Sequence, residues 1–502
     1  MKHIYILLLL LGRLSNAQYL LPEPKEINFL KGEFNITKEI KVRIVSPSLE
    51  LNRYAKEFIR RLQFKTGVYF QTNELQDTVS SNEIIITTNS TIKELDIDVN
   101  EGYKLNITSD QITINAENNI GAYRALETLL QLIKIKESIP LFKNCIVIDE
   151  PRFKWRGLLI DVCRHWIPLH ILKRNIDAMA AVKMNVLHLH LTDDQAFRVE
   201  SKKLPKLHKF GNDGNYFSQK DIKDLVQYAK KRGIRIVPEF DIPSHTTSWL
   251  VGYPEIGSSN KSHNLAINYG VFNASLNPTK EYTYEFLDTL ITEMCLLFPD
   301  AYFHIGGDEN NGSNWNQNKK IQKFMVKENF KDNQELQTYF IKRVSSILTM
   351  NKKIMVGWDE IFDSNISKST VIQSWRGKES MIIAAKNGYP SILSNGYYLD
   401  KVNKLIDYYE NDPLPEIIDL TEDQQKMILG GEAAMWTELV DYRTIESRIW
   451  PSSLAIAEKL WSYPEKCNTN KFYDKVPFIS NQLQEFGLAH LNFQEALLNL
   501  TT

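Results

Sequence analysis

Two adjacent carboxyl groups, Asp308 and Glu309, close the segment Tyr302-Phe-His-Ile-Gly-Gly-Asp-Glu309. Successive residues of a strand face opposite sides, so both acids reach one site only where the strand gives way to a loop. Gly306 and Gly307 permit that change, because a residue without a Cβ lets backbone and ligand approach closely at a strand end. Two carboxyls in such a place can divide the work, one protonated as an acid and one ionised as a stabiliser. A bare Asp-Glu pair is commonly an exposed acidic turn. Here His304 before the pair and Asn310-Asn311-Gly312 after it favour a built site.

The elements that must hold these acids repeat along the chain. From Trp155 onward, apolar strand candidates fall at Gly157–Val162, Met184–Leu191, Ile234–Asp241, Tyr302–Gly307, Lys353–Trp358, Val371–Trp375, Ser391–Leu399 and Ile428–Trp436. Helical periodicity separates them at Ile171–Val182, Ser218–Arg232, Lys280–Phe298, Glu335–Met350 and Ser380–Asn387. This alternation predicts a (β/α)8 barrel, whose functional residues gather at the C-terminal strand ends. The ends carry chemistry at nearly every strand: Asp161 and Arg164; His188, His190, Asp193 and Asp194; Glu239, Asp241 and His245; Asp308 and Glu309; Trp358, Asp359 and Glu360; Trp375 and Arg376; Tyr398 and Asp400; Glu432, Trp436 and Glu438. Any one of these is more often structural. Together they describe an aromatic pocket rich in carboxylates.

Tryptophans at neighbouring strand ends suit a sugar, since pyranose C–H faces pack on indole while carboxylates and arginine take the hydroxyls. His188-x-His190 raises a rival. Two histidines at i and i+2 share a face and bind zinc in some hydrolase barrels, and Asp193, Asp241 and His245 could complete a shell. Leu189 and Leu191 interleave with the pair, so the histidines also fit a hydrogen-bonded barrel interior, and no metal or other cofactor is expected.

Ahead of the barrel, strands at Ile40–Val45, Glu83–Thr88 and Gln111–Asn115 and helices at Tyr54–Phe64 and Ile120–Ile133 predict a smaller α+β domain over 18–150. The barrel domain follows at 151–490, with a tail at 491–502. At the start, Lys2 and His3 precede the apolar run Ile4–Leu11 and a small-residue cleavage site at Ser15-Asn16-Ala17, the pattern of a signal peptide over 1–17. The protein is expected to be exported, and no later segment is apolar enough to span a bilayer. Of 502 residues 43% are hydrophobic and 24% charged, and the net charge of −1 gives no sign of a nucleic-acid binder. Cys145, Cys163, Cys295 and Cys467 form no C-x-x-C pair and read as buried thiols.

His304-x-Gly-Gly-Asp308-Glu309 resembles the signature of the family 20 glycoside hydrolases, the β-N-acetylhexosaminidases. The resemblance extends through many motifs over nearly the whole chain after residue 17. It implies an exo-acting, retaining enzyme that removes terminal β-linked GlcNAc or GalNAc from an oligosaccharide or glycoconjugate, with the substrate's own acetamido group as nucleophile. Glu309 matches the general acid/base, with a pKa expected to be raised, and Asp308 its neighbour that orients the acetamido group. Trp358, Trp375 and Trp436 match the acetamido pocket, and Tyr398 the tyrosine that bonds the acetamido oxygen. Arg164, Asp400 and Glu438 match the residues that grip ring hydroxyls. Asp193 and His245 resemble the pair supporting the acid/base, and His304 a packed supporting residue. Ser244 replaces a common glycine and Leu189 a common tryptophan, differences that bear on loop shape rather than on a reacting group. A binding protein with a retired site is the alternative from another class, and the oligomeric state is open.

Overall fold

The computed structural model describes residues 19–70, 82–259, 261–363, 365–401 and 403–489. The expected signal peptide and C-terminal tail lie outside these residues. The chain divides into two units, the first built from described residues up to Ile92, Asn100–Pro151 and Trp461–Glu485, the second from Lys93–Val99, Arg152–Leu460 and the described residues from Phe486.

The first unit is a seven-stranded mixed sheet formed by β1 (Glu26–Asn35), β2 (Lys41–Ile44), β3 (Glu83–Ser90), β4 (Tyr103–Ile107), β5 (Gln111–Asn118), β6 (Lys134–Lys136) and β7 (Ile139–Asp149). The order is β1-β7-β4-β5-β3-β2, with β6 beside β7. Alternating buried positions such as Ile84 and Ile86 on β3 and Ile112 and Ile114 on β5 face the helices Leu49–Thr66 and Asn119–Gln131. Asn118 starts the second helix by accepting from the amides of Ile120 and Gly121. Tyr54 stacks on Tyr123 at 4.0 Å between ring centroids.

The expected barrel domain of 151–490 is shortened by this division. The segment Trp461–Glu485, which contains the helix Thr469–Leu483, belongs to the first unit. Specific bonds hold it there: Trp461 Nε1 donates to Asp149 at 2.9 Å, Arg61 pairs with Glu485 at 2.8 Å, and Lys475 pairs with Glu23. These partners are far apart in sequence, which is why local periodicity does not show them.

The second unit is the barrel. β8 (Trp155–Asp161), β9 (Val186–His190), β10 (Arg235–Glu239), β11 (Tyr302–His304), β12 (Ile354–Trp358), β13 (Val371–Ser374), β14 (Ser391–Leu393) and β15 (Ile428–Met435) close in chain order, all pairs parallel. Near its N-terminal end the interior is apolar: Trp155, Val186, Val237, Tyr302, Val356, Val371 and Ile392 form one buried cluster, each from a different strand. Further up it turns polar, with His188, Glu239, His304, Gln373 and Glu432 fully buried. Above these, Leu159, Trp358 and Ala434 pack with Trp375, Tyr398 and Trp436.

Two strands end three or more residues before their sequence patterns predict. β11 ends at His304, because Gly306 and Gly307 take positive φ of 66° and 94°. β14 ends at Leu393, before a turn in which Gly396 has φ 80°, yet Tyr398 returns to bridge Ala434. Cys145 and Cys163 are buried thiols, Cys295 a partly buried one. No helix among the described residues is long and apolar enough to cross a membrane.

Candidate active site

The loop after β11 carries the acid pair. A Cβ on Gly306 would lie 1.8 Å from Asp241 Oδ1, and one on Gly307 2.3 Å from Ile361 Cγ2, so neither position admits a side chain. The Gly307 amide donates to Asp241 Oδ1 at 3.1 Å, and the Gly306 amide to His304 Nδ1 at 3.0 Å. His304, as a packed support, therefore fixes the turn that presents the acids. Glu309 itself has φ 52°, and His245, which faces it, has φ 53°. Two non-glycine residues in the left-handed region are held there by their surroundings, a pattern common at functional sites.

A cavity of about 180 Å³ opens at the C-terminal mouth of the barrel. Its walls are Arg164, Asp308, Glu309, Trp358, Trp375, Tyr398, Asp400, Lys401, Trp436 and Glu438. All nine residues expected to react with or bind the sugar thus line one space, and Lys401 joins them. The aromatic wall is ordered by mutual contact and by polar tips. Tyr398 stacks on Trp436 with centroids 6.5 Å apart, and the Arg164 guanidinium lies 5.0 Å from the Trp436 ring. Trp358 Nε1 donates to Glu239 at 2.9 Å, and Trp375 Nε1 to Glu360 at 2.9 Å.

Asp193 and His245, the pair expected to support the acid/base, sit behind the acids. His245 Nε2 lies 3.3 Å from Glu309 Oε2 and 3.8 Å from Asp308 Oδ2, while its Nδ1 lies 3.3 Å from Asp193 Oδ1. Asp193 also binds Arg164 at 2.7 Å and His190 at 2.8 Å. Burial opposes charge on these groups. Arg164 and His245 outweigh it at Asp193, holding that carboxyl well below its usual range. Asp193 and Asp241 likewise outweigh burial at His245 and raise the imidazole well above its ordinary value.

The two acids depart from their usual values in opposite directions. Burial, with Glu239 and Glu309 nearby, raises Asp308, against the lowering effect of His245. Glu309 is lowered, first by its bond with the His245 ring. This corrects the expected rise at Glu309: its side chain is 35% exposed and faces a ring kept cationic by carboxylates, so desolvation is the weaker influence. Glu360 is another raised carboxyl, at about 8, through burial and the Asp308 charge.

Deeper in the barrel His188 and His190 are held by acids. His188 Nδ1 meets Glu432 at 2.7 Å, and His190 meets Glu239 at 2.5 Å and Asp193 at 2.8 Å. His188 is raised to about 9, since Glu432 and Glu239 more than offset its burial. Several triples, among them His190, Asp193 and Asp241, bring ligand-type atoms within 4.8 Å of one another. Both His190 nitrogens are engaged by carboxylates, which gives this cluster its own charge balance without a further cation. Sequence reading assigned no sugar-site role to Glu239, Asp241, Glu360 or Lys401, and placed Asp241 only in a candidate metal shell. The first three fall at strand ends and were visible as acids, but their partners come from other strands.

A parallel barrel whose C-terminal mouth presents two adjacent carboxyls, an indole-lined cavity and a buried arginine has the construction of a glycoside hydrolase. The family 20 glycosyl hydrolase catalytic-domain model matches residues 153–464, and the model of domain 2 of the same family matches residues 17–149. The chain belongs to glycosyl hydrolase family 20, and its activity is that of an exo-acting β-N-acetylhexosaminidase. It is 35% identical to the human beta-hexosaminidase subunit beta over 410 residues, spanning 78% of this chain and 72% of the relative. The crystal structure of a chitobiase from Flavobacterium johnsoniae is similar at 41% identity and a TM-score of 0.91, covering 95% of this chain and 74% of that one. A mutant beta-hexosaminidase from Streptomyces plicatus in complex with its product GlcNAc matches at 25% identity and a TM-score of 0.81, over 94% and 96% of the two chains.

Proposed function

We propose that Asp308 and Glu309 divide the hydrolysis of a terminal, non-reducing β-linked GlcNAc or GalNAc by substrate-assisted retention. The observation that carries this division is Asp308 Oδ1, which is buried at the cavity wall and has no hydrogen-bond partner among the described residues. A buried carboxylate oxygen without a partner costs on the order of 1–3 kcal/mol or more, and an acetamido N–H supplies the missing donor. In this reading Trp358, Trp375 and Trp436 enclose the acetamido methyl and Tyr398 donates to its oxygen. Asp308 turns that oxygen onto the anomeric carbon, and the C–O bond to the leaving group breaks as the oxazolinium ring closes. The positive charge that develops on the acetamido nitrogen is the partner that lets Asp308 ionise.

Glu309 gives its proton to the departing oxygen, then takes one from the water that opens the ring. A glycan over the cavity shields the exposed face of Glu309 from solvent and lifts its pKa from the lowered value of the open pocket. Arg164, Asp400 and Glu438 hold the ring hydroxyls. His245, with Asp193 behind it, fixes the Glu309 carboxyl. The N-terminal pattern of residues 1–17 supports export, with glycans outside the cytoplasm, chitin fragments included, as the substrate class.

The test is whether the nucleophile belongs to substrate or protein. An aryl β-glucoside without the acetamido group should react orders of magnitude more slowly than the N-acetylglucosaminide. A thiazoline mimic of the bicyclic ion should bind more tightly than substrate. A glycosyl adduct on any carboxylate, trapped with a fluorosugar and detected by mass spectrometry, would sink this mechanism.

A further inference from the structure

We propose that Glu239 is a positioning residue for the reaction, a single buried carboxylate that orients both the proton-transfer relay and the acetamido wall. The proposal rests on the reading of Glu309 as the acid/base. Glu239 ends β10 and is fully buried. Its two oxygens serve two directions. Oε1 accepts from Trp358 Nε1 at 2.9 Å and lies 3.0 Å from His304 Nδ1. Oε2 lies 2.5 Å from His190 Nδ1 and 3.3 Å from His188 Nε2. Three neighbouring strands, β9, β11 and β12, thus turn polar side chains toward one acid.

On the relay side the two shortest contacts favour one assignment, over the longer approach of Arg164 Nη1 to His190 Nε2 at 3.5 Å. His190 faces carboxylate oxygens at both ring nitrogens, Glu239 at 2.5 Å and Asp193 at 2.8 Å. An ionised carboxylate only accepts, so both nitrogens carry protons and His190 is an imidazolium. That cation, with Arg164, keeps Asp193 ionised. Asp193 Oδ1 in turn takes the Nδ1 proton of His245, leaving Nε2 to face Glu309 at 3.3 Å. Hydrogen bonds therefore run from Glu239 through His190 and Asp193 to His245, whose Nε2 lies 3.3 Å from Glu309. Remove the charge on Glu239 and His190 has one anionic partner instead of two, so the ring holds its second proton less tightly.

On the other side the bond to Trp358 sets the tilt of the indole that forms the acetamido pocket wall. Glu239→Gln separates the two duties, because the amide oxygen still accepts from Trp358 while its NH2 replaces the oxygen that faced His190.

The experiment compares chitobiose, whose leaving group needs a proton, with 2,4-dinitrophenyl N-acetylglucosaminide, which does not. Glu239→Gln should lower kcat/KM on chitobiose tenfold or more, a share of the roughly 10²–10⁴-fold that general acid catalysis supplies. On the dinitrophenyl substrate kcat/KM, which covers only the steps through departure of the leaving group, should stay within about threefold of the wild type. His190→Gln, which leaves the Glu239–Trp358 bond in place although His190 also packs edge-on against Trp436 at 5.0 Å, should show the same selectivity, and the double variant should be little worse than either single one. Glu239→Leu should add a rise in KM on both substrates. Equal losses on the two substrates for both Glu239→Gln and His190→Gln would overturn the proposal and leave these residues as core packing. Glu309→Gln, run alongside, keeps the failures apart. If it too lacks selectivity, the acid/base reading has failed; if it alone is selective, only the role of Glu239 has.

Discussion

Gly306→Ala is the sharpest test of how the acids are held. Alanine at φ 66° brings the left-handed penalty, about 1–2 kcal/mol. Its Cβ would also stand 1.8 Å from Asp241 Oδ1 and 2.1 Å from Asp241 Cγ, so Asp241 must withdraw by more than an ångström. Asp241 is buried and receives the Gly307 amide, so it has little room to move without the loop. Overpacking of this kind costs roughly 1–3 kcal/mol, giving a total destabilisation of about 2–5 kcal/mol. A displacement near 1 Å in the acid pair is expected to lower kcat/KM by the order of 100-fold. Gly388→Ala is the control: its φ is 73°, and nothing lies within 4 Å of the added Cβ. It should share the conformational penalty and keep wild-type turnover. Thermal melting and hydrolysis of an aryl N-acetylglucosaminide read both quantities. If Gly306→Ala melts and turns over like Gly388→Ala, the close approach to Asp241 does not position the acids.

Glu360 predicts a pH effect on stability. Its folded value of about 8 lies above the ordinary 4.5, so the folded state favours the proton; the contribution is fully present below about 4.5 and is lost as pH rises through about 8. Glu360→Gln should therefore flatten the fall in melting temperature between pH 5 and pH 8, and an unchanged slope would exclude Glu360 as its source. Arg164→Ala should cut kcat/KM strongly, because it loses the sugar contact and leaves Asp193 short of a buried partner at 2.7 Å. Glu438→Gln, lining the same cavity, should lose on the order of 1–3 kcal/mol of transition-state binding, and wild-type efficiency in either variant would remove that residue from the sugar site. Chitin oligomers should lose one sugar at a time from the non-reducing end, since a cavity of about 180 Å³ admits a single ring; early internal fragments would contradict this.

The sequence by itself determined the barrel and the place of its chemistry. Strand-type runs ending in polar clusters predicted all eight barrel strands, because parallel strands buried on both faces read as continuous apolar segments with their functional residues just beyond. It also singled out Asp308 and Glu309, since the glycines that free the chain from its strand lie beside them in the same segment. Tertiary structure alone decided which neighbours those acids have. Burial, with Glu239 and Glu309 nearby, raises Asp308, while Glu309 is lowered by His245, which arrives from the end of another strand. Glu239 gains its meaning only when β9, β11 and β12 turn His188, His190, His304 and Trp358 toward it. The placement of Trp461–Glu485 with the first unit rests on bonds to Asp149, Arg61 and Glu23, hundreds of residues away. Periodicity records what one element buries. Charge, protonation and partnership depend on distances between elements, and the closed barrel fixes those.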